Sequence, residues 1–236
     1  MGRTGSPNPV DIEKRAAADA AVMEVREGMI VGLGTGSTVA FAIEALAERC
    51  RQGLAIRAVA TSLATEALAG GAGIAISDFA DLARIDLCID GVDEIDPGFR
   101  AIKGAGGAML REKIVARAAR RMIAIADGRK SVDRLGAPVP VEVLPFALGL
   151  VTDRIARLGG TPRLRRGASG TAYRTDQDNA VLDCTFGLLA APEALALSLS
   201  QIPGVLGHGL FLGEIDALYI GQGDRAERRE RRSSGS

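Results

Sequence analysis

The stretch IDLCIDGVDEIDPGFRAIKGAGGAMLREK, residues 85–113, gathers the side chains best suited to chemistry. An apolar run from Ile85 to Ile89 ends in Asp90, with Asp93 close behind; Lys103 opens a glycine-rich bend and Glu112 follows it. A carboxylate at the end of a buried strand is costly unless a polar group meets it there. Carboxylates, an ammonium and a flexible bend are the parts needed to move a proton on a small anionic substrate. An ammonium beside a developing oxyanion can lower a barrier by a few kcal/mol, the scale of one oxyanion donor.

Each of these residues also has a plainer reading. Asp90 and Asp93, flanking Gly91, suit a strand-end turn in which Asp caps nearby amides. A magnesium ion would accept such carboxylates, but no third ligand is suitably spaced. Lys103 is of a type usually found at the surface. Glu112 lies near a helix start, where the macrodipole favours its charge. A base working near neutral pH needs instead a raised pKa, hence partial burial. Cys88 points into a buried strand and is read as inert, and His208 as a packed or surface residue.

A second loop, Gly32-Leu33-Gly34-Thr35-Gly36-Ser37-Thr38, joins a strand to a helix. Its glycines let backbone amides converge, and the helix start favours an anion. It lacks the GK[ST] of a Walker A loop. Its GxGxG spacing differs from a dinucleotide fingerprint, and Thr61 and Ser62 stand where that fingerprint places an acid. A tight turn capped by Ser37 or Thr38 is the plain alternative. Lys130, after another strand end, and Lys14 and Arg15, in the first helix, are candidate phosphate cations or ordinary surface groups.

These residues need elements to hold them. Apolar runs predict strands at Met29–Leu33, Ala55–Ala60, Ile74–Ile76, Ile85–Ile89 and Met122–Ala126. Helices are expected from Asp11 to about Arg26, from about Val39 to Arg49, over Ala64–Ala69 and from about Met109 to Arg121. Strand–loop–helix repetition with buried strands predicts an α/β, doubly wound, mostly parallel Rossmann-like sheet. Ligands bind beyond the carboxyl ends of such strands, where all these polar groups fall. Near Val132 the pattern changes to strand Val139–Val143, helix Phe146–Leu158, strands Thr161–Arg165 and Ala180–Phe186, helix Pro192–Gln201 and strand Val205–Phe211. That βαββαβ order predicts a second, smaller ferredoxin-like α+β domain. The expected division is residues 1–131 with 209–224, which includes a last strand at Ala217–Ile220, for the larger domain, and 132–208 for the smaller. The charged segment 225–236 and the lead-in MGRTGSPNPV are expected to be disordered.

Bulk properties narrow the class. The 236 residues carry no net charge, against a dedicated nucleic-acid binder with its basic face. Three cysteines and one histidine, in no metal-ligand spacing, argue against structural zinc and a disulfide framework, and suit a reducing cytoplasm. No apolar run reaches the roughly 18 residues of a membrane span, and the amino terminus shows no signal core.

The segments IVGLGTGSTVAFAIEAL, CIDGVDEID, IKGAGGAMLREKIVA, MIAIADGRKSVDRLG with PVEVLP, and TDQDNAVLD with IPGVLGHGLF follow one another from about Asp11 to Gly221. In order and spacing they resemble the type A ribose-5-phosphate isomerases. The resemblance implies interconversion of D-ribose 5-phosphate and D-ribulose 5-phosphate through a cis-enediolate, in the non-oxidative pentose phosphate branch. It implies no cofactor and no metal, a sugar-phosphate partner, a cytoplasmic enzyme and a homodimer or homotetramer. It places Glu112 on the catalytic base. Thr35, Gly36, Ser37 and Thr38 fall on a substrate-binding segment, as do Asp90, Gly91, Val92 and Asp93, then Lys103, Gly104, Ala105 and Gly106, then Lys130, with Lys14 added from the first helix. Within that scheme Asp90 is expected to serve ring opening, with Lys103 and Asp93 at the oxygens of the reacting carbons. Ala105 stands where many members carry glycine, and alanine would be strained there at positive φ. An amino-sugar phosphate deaminase, a non-catalytic sugar-phosphate sensor and a nicotinamide dehydrogenase are the competing readings. The order of DGVDE and KGAGGAMLREK argues against the first. A sensor fused to a DNA-binding module would need a helix-turn-helix segment, whereas about ten residues precede the first expected helix. The loop spacing argues against the dehydrogenase.

Overall fold

The computed structural model describes residues 8–232. Helix α1 (Pro9–Val22) starts earlier than the expected Asp11, because Asn8 caps it by accepting from the Val10 amide and Pro9 occupies the first turn. Strand β1 (Ile30–Leu33) leads to α2 (Ser37–Arg51), and β2 (Arg57–Ala60) to α3 (Leu63–Gly71), capped by Ser62. The strand expected at Ile74–Ile76 is reduced to one bridge between Ala58 and Ile76. Then come β3 (Leu87–Gly91), β4 (Glu94–Ile95), β5 (Ala101–Ile102), α4 (Met109–Ala118) and β6 (Met122–Asp127).

The second part of the chain runs β7 (Val139–Val143), α5 (Leu148–Arg157), β8 (Thr161–Leu164), β9 (Ala180–Thr185), α6 (Pro192–Ser200) and β10 (Val205–His208). It closes with β11 (Leu210–Phe211), β12 (Ala217–Gln222) and β13 (Arg225–Glu230).

The main sheet has the order β13-β12-β6-β3-β1-β2, and every neighbouring pair is parallel except β12 with β13. Its parallel strands are largely buried on both faces, as a parallel sheet between helices requires, whereas the edge strand β13 is mostly exposed. Ile89, Ile123 and Tyr219 face α1 and α2, while Cys88, Met122, Leu218 and Val115 of α4 form the opposite layer. That alternation puts Asp90 on the α4 side, with Cys88.

The smaller antiparallel sheet, β10-β7-β9-β8, has the strand order of a ferredoxin-like fold and packs Val141, Leu182, Val151 and Leu199 into its own core. Two differences from the sequence expectation matter. The single strand expected over Val205–Phe211 breaks at Gly209. Beyond it, β11 joins β5 and β4 in a three-stranded sheet. The segment expected to be disordered from residue 225 instead forms β13, the edge of the main sheet; residues 1–7 and 233–236 lie outside the described residues.

Candidate active site

Three strand ends and one helix start converge. Asp90 closes β3, Lys103 follows β5, the GTGST loop leaves β1 for α2, and Glu112 lies in the first turn of α4. Lys103 is held where the two domains meet. Its amide donates to the Gly209 carbonyl at 2.9 Å, and a Cβ on Gly209 would lie 2.1 Å from the Lys103 oxygen. Only glycine fits at that crossing.

The Lys103 ammonium lies 2.9 Å from Asp90 Oδ2 and 3.2 Å from Glu112 Oε2, and it donates to the Gly91 carbonyl. All three side chains are buried: Asp90 is 0%, Lys103 2% and Glu112 2% exposed. Asp90 Oδ1 accepts from the amides of Thr35 and Gly91 at 3.2 and 2.7 Å. A Cβ on Gly34 would fall 1.8 Å from Asp90 Oδ1, so the first loop is packed directly onto this carboxylate. The buried oxygens Asp90 Oδ2 and Glu112 Oε2 have ion-pair contact with Lys103 but no well-directed hydrogen bond.

The electrostatics follow from that burial. Loss of water pushes the Glu112 carboxyl up to about 8; the Lys103 ammonium pulls the other way and the Asp90 charge adds to the rise. Burial also raises Asp90, against Lys103 and the two amides. Burial works against the charge on Lys103, but Asp90 and Glu112 reverse this and hold its pKa above the ordinary lysine range. Of the two environments open to Glu112 in the sequence, burial governs.

A cavity of about 240 Å³ opens above this pair. It is lined by Thr35, Gly36, Ser37 and Thr38, by Gly91, Val92 and Asp93, by Lys103, Gly104, Ala105, Gly106 and Glu112, and by Lys14 and Lys130. Every residue that the sequence marked for substrate or catalysis reaches this wall, except Asp90 and Arg15, which pairs with Glu44 instead. Asp90 lies beneath the floor, under Lys103 and Gly34. Of the two carboxylates in that segment, Asp93 is the one at the wall. Asp93 Oδ2 accepts from the Ala105 amide at 2.9 Å. Ala105 is not at positive φ, so the strain expected from a Cβ there does not arise.

The rim of the cavity is basic. Lys14 donates to Ser37 Oγ at 2.9 Å, and α2 begins at Gly36 without a side-chain cap, leaving its first amides free for an anion. Asp127 and Arg129 also line the wall; burial works against the Asp127 charge, yet Arg129, 2.9 Å away, holds its pKa below the usual carboxylate range.

Sequence reasoning missed a layer of hydroxyls. Thr35 Oγ1 meets Thr61 Oγ1 and Ser62 Oγ, each at 2.9 Å, and Thr65 donates to the Gly34 carbonyl. Thr61 and Ser62 are visible in the sequence as polar residues at a strand end, which is the available signal.

A larger hollow, of about 660 Å³, lies on the far side of α4 around Lys113, His208 and Ser200. Its groups satisfy one another. Lys113 donates to the Leu210 carbonyl and meets His208 Nδ1 at 3.2 Å, and that nitrogen also accepts from the Leu210 amide. His208 is buried, the packed alternative of the two expected for it, and burial with the Lys113 charge drives its pKa down to about 3. Burial pushes the Cys88 thiol far above its ordinary range, as expected of an inert core cysteine. Among the described residues, no group of three or more His, Cys, Asp or Glu side chains is placed to hold a metal ion, and no helix is long and apolar enough to cross a membrane.

Comparison with known proteins gives a consistent result. The family model for ribose 5-phosphate isomerase A (phosphoriboisomerase A) matches residues 57–225. The chain is 52% identical over 220 residues to the ribose-5-phosphate isomerase A of Sphingopyxis alaskensis, covering 93% of this chain and 96% of that one. It is 51% identical over 216 residues to the protein of the same name from Methanosarcina acetivorans, covering 91% and 92%. Among solved structures, it superposes with a TM-score of 0.91, at 34% identity and over 94% and 99% of the two chains, on a D-ribose-5-phosphate isomerase in complex with phospho-erythronic acid. The ribose 5-phosphate isomerase A of Methanocaldococcus jannaschii gives a TM-score of 0.88 at 32% identity, over 93% and 98%.

Proposed function

The chain belongs to the ribose-5-phosphate isomerase A family and interconverts D-ribose 5-phosphate and D-ribulose 5-phosphate, and from that premise we propose which side chains carry the reaction. Glu112 takes the proton from C2 of the open-chain aldose and returns it to C1 through a cis-enediolate. The Lys103 ammonium holds the oxygens on which negative charge develops. The observation that carries this reading is the buried contact of 3.2 Å between Lys103 Nζ and Glu112 Oε2 at the cavity wall. Burial raises the affinity of the carboxyl for a proton, so its ionised form is a stronger base than an exposed glutamate.

Asp90 keeps Lys103 charged and in place from below. Asp93, at the wall, is the group that exchanges a proton with the ring hydroxyl during opening. The phosphate lies against the Gly36–Thr38 amides and hydroxyls, with Lys14, Lys130 and Arg129 around it. Holding that remote group orients C1 and C2 over Glu112. Gly91, Val92, Gly104, Ala105 and Gly106 complete the wall around the sugar. Lys103 supplies the positive charge at the reacting oxygens, so these proton transfers call for neither metal nor cofactor.

The direct test is an isomerase assay with ribose 5-phosphate before and after chelator treatment, alongside Glu112→Gln. Wild-type turnover that survives the chelator, with turnover lost and substrate affinity retained in the variant, is expected. Near-normal kcat in Glu112→Gln removes Glu112 from the role. We further propose a cytoplasmic enzyme that works as a homodimer or homotetramer. The three free cysteines and the exposed Leu144, Phe146 and Leu150 of the smaller domain support that reading.

A further inference from the structure

The loop that follows Lys103 is gripped from the other domain. Arg165, directly after β8, donates from Nη1 to the carbonyls of Gly104 and Ala105, each at 3.0 Å. The Tyr173 hydroxyl donates to the next carbonyl, that of Gly106, at 3.2 Å. Three successive carbonyls of the substrate loop are therefore bound by two side chains of the ferredoxin-like domain.

The grip is itself braced. The Arg165 guanidinium forms a two-pronged pair with Asp183 of β9 and lies 5.7 Å from the centre of the Tyr173 ring, while the Tyr173 amide donates to the Arg165 carbonyl. The Arg165 side chain is only 13% exposed, so its planar fork is held in one orientation. It does not line the substrate cavity, whereas the loop it holds does.

A trans peptide is planar, with its N–H and C=O on opposite sides. Drawing the Gly104 carbonyl toward Arg165 turns the Ala105 amide the other way, where it donates to Asp93. Drawing the Ala105 carbonyl the same way turns the Gly106 amide away from the guanidinium, on the cavity side. We infer that Arg165 and Tyr173 are positioning residues for the isomerisation: by holding the Gly104 and Ala105 carbonyls outward, Arg165 aims the Ala105 and Gly106 amides inward, fixing Asp93 and offering the sugar a backbone donor, while Tyr173 holds the Gly106 carbonyl, whose peptide partner, the Gly107 amide, closes the turn onto the Gly104 carbonyl.

This rests on the isomerase reading above and deepens it. The test uses Tyr173→Phe, Arg165→Met and Arg165→Lys in the full-length chain, with a phosphorylated four-carbon aldonate as ligand. Calorimetry gives its Kd and the number of sites, and steady-state assays give kcat and KM. Displacing a positioned loop is expected to raise Kd and lower kcat/KM by about ten- to a hundredfold, with one site per chain retained. Arg165→Lys should recover part of the loss. The Tyr173→Phe and Arg165→Met effects should combine less than additively, because both act on one loop. A purely structural role would lower the number of sites and leave Kd and KM at wild-type values, and that result overturns the inference. Tyr173→Phe removes one oxygen and carries the test alone should Arg165→Met not fold. A wild-type chain that fails to isomerise ribose 5-phosphate sinks the isomerase reading instead.

Discussion

As the proposed base, Glu112 must lose its own proton to solvent before it can take one from C2. With its carboxyl pushed up to about 8, only a minority of free enzyme is ready at pH 7. We therefore expect kcat/KM to climb with pH and level off above about 8, as read from a pH–rate profile. The same burial acts on stability with a definite sign. The folded chain holds this proton more tightly than the unfolded chain, whose value is near 4.5. The stability from that proton is complete below about 4.5 and lost as pH rises through about 8. Glu112→Gln does not titrate, so it should melt above wild type at pH 9, with the gap closing toward pH 4, while turnover falls at least about a hundredfold. Thermal scans across that pH range with parallel assays check both. The grouping at this scale was readable beforehand, since Asp90, Asp93, Lys103 and Glu112 are concentrated in one short stretch. What could not be read was depth: Asp90 and Asp93 look alike in DGVDE, yet only Asp93 reaches the cavity.

At the scale of elements, the seating of the GTGST loop on β3 depends on an absent side chain. A Cβ at Gly34 would overlap the Asp90 carboxylate, and neither β1 nor β3 can yield without breaking the ladder between them. Gly34→Ala is expected to lose both activity and several degrees of melting temperature, whereas Gly53→Ala should keep its activity. A Cβ at position 53 would meet no atom within 4 Å, so only the backbone strain of its positive φ, far from the cavity, would lower its melting temperature. Activity assays on folded protein separate the two. The parallel strands were readable from their apolar runs. Strand β13 was not, because RAERRE shows no apolar alternation and its charges suit solvent. An edge strand needs only one neighbour, and charged side chains are common there. Here β12 supplies the ladder, and Arg121 links Glu230 to Glu24 across the sheet. The grip of Arg165 on the substrate loop was equally hidden, since its partners are backbone carbonyls that leave no mark in side-chain pattern.

For the molecule as a whole, the ferredoxin-like domain has two exposures of opposite kind. One side reaches into the substrate loop. Elsewhere it leaves Phe146 97% exposed, with Leu144 and Leu150 also open to solvent. A large aromatic so placed is expected to be covered by a second copy of the chain. Phe146→Glu should shift the mass measured by light scattering toward the monomer, and an unchanged mass would move the contact to another face. The division into a parallel sheet and a smaller antiparallel one was visible in the change of pattern near Val132. The passage of β10 into β11 was not, because VLGHGLF reads as one continuous run.

That passage has a consequence for how the enzyme breathes. Gly209 receives the Lys103 amide through its carbonyl and gives its own amide to Pro140 of β7. The three-stranded sheet and the smaller antiparallel one are therefore stitched together at the peptide of Lys103, the lysine proposed to meet the sugar. A clam-shell opening of the domains would have to unpick this seam first, so the amides of Lys103 and Gly209 should be among the slowest to take up deuterium. Sugar would then enter and leave past a rigid frame, through movements of the rim alone.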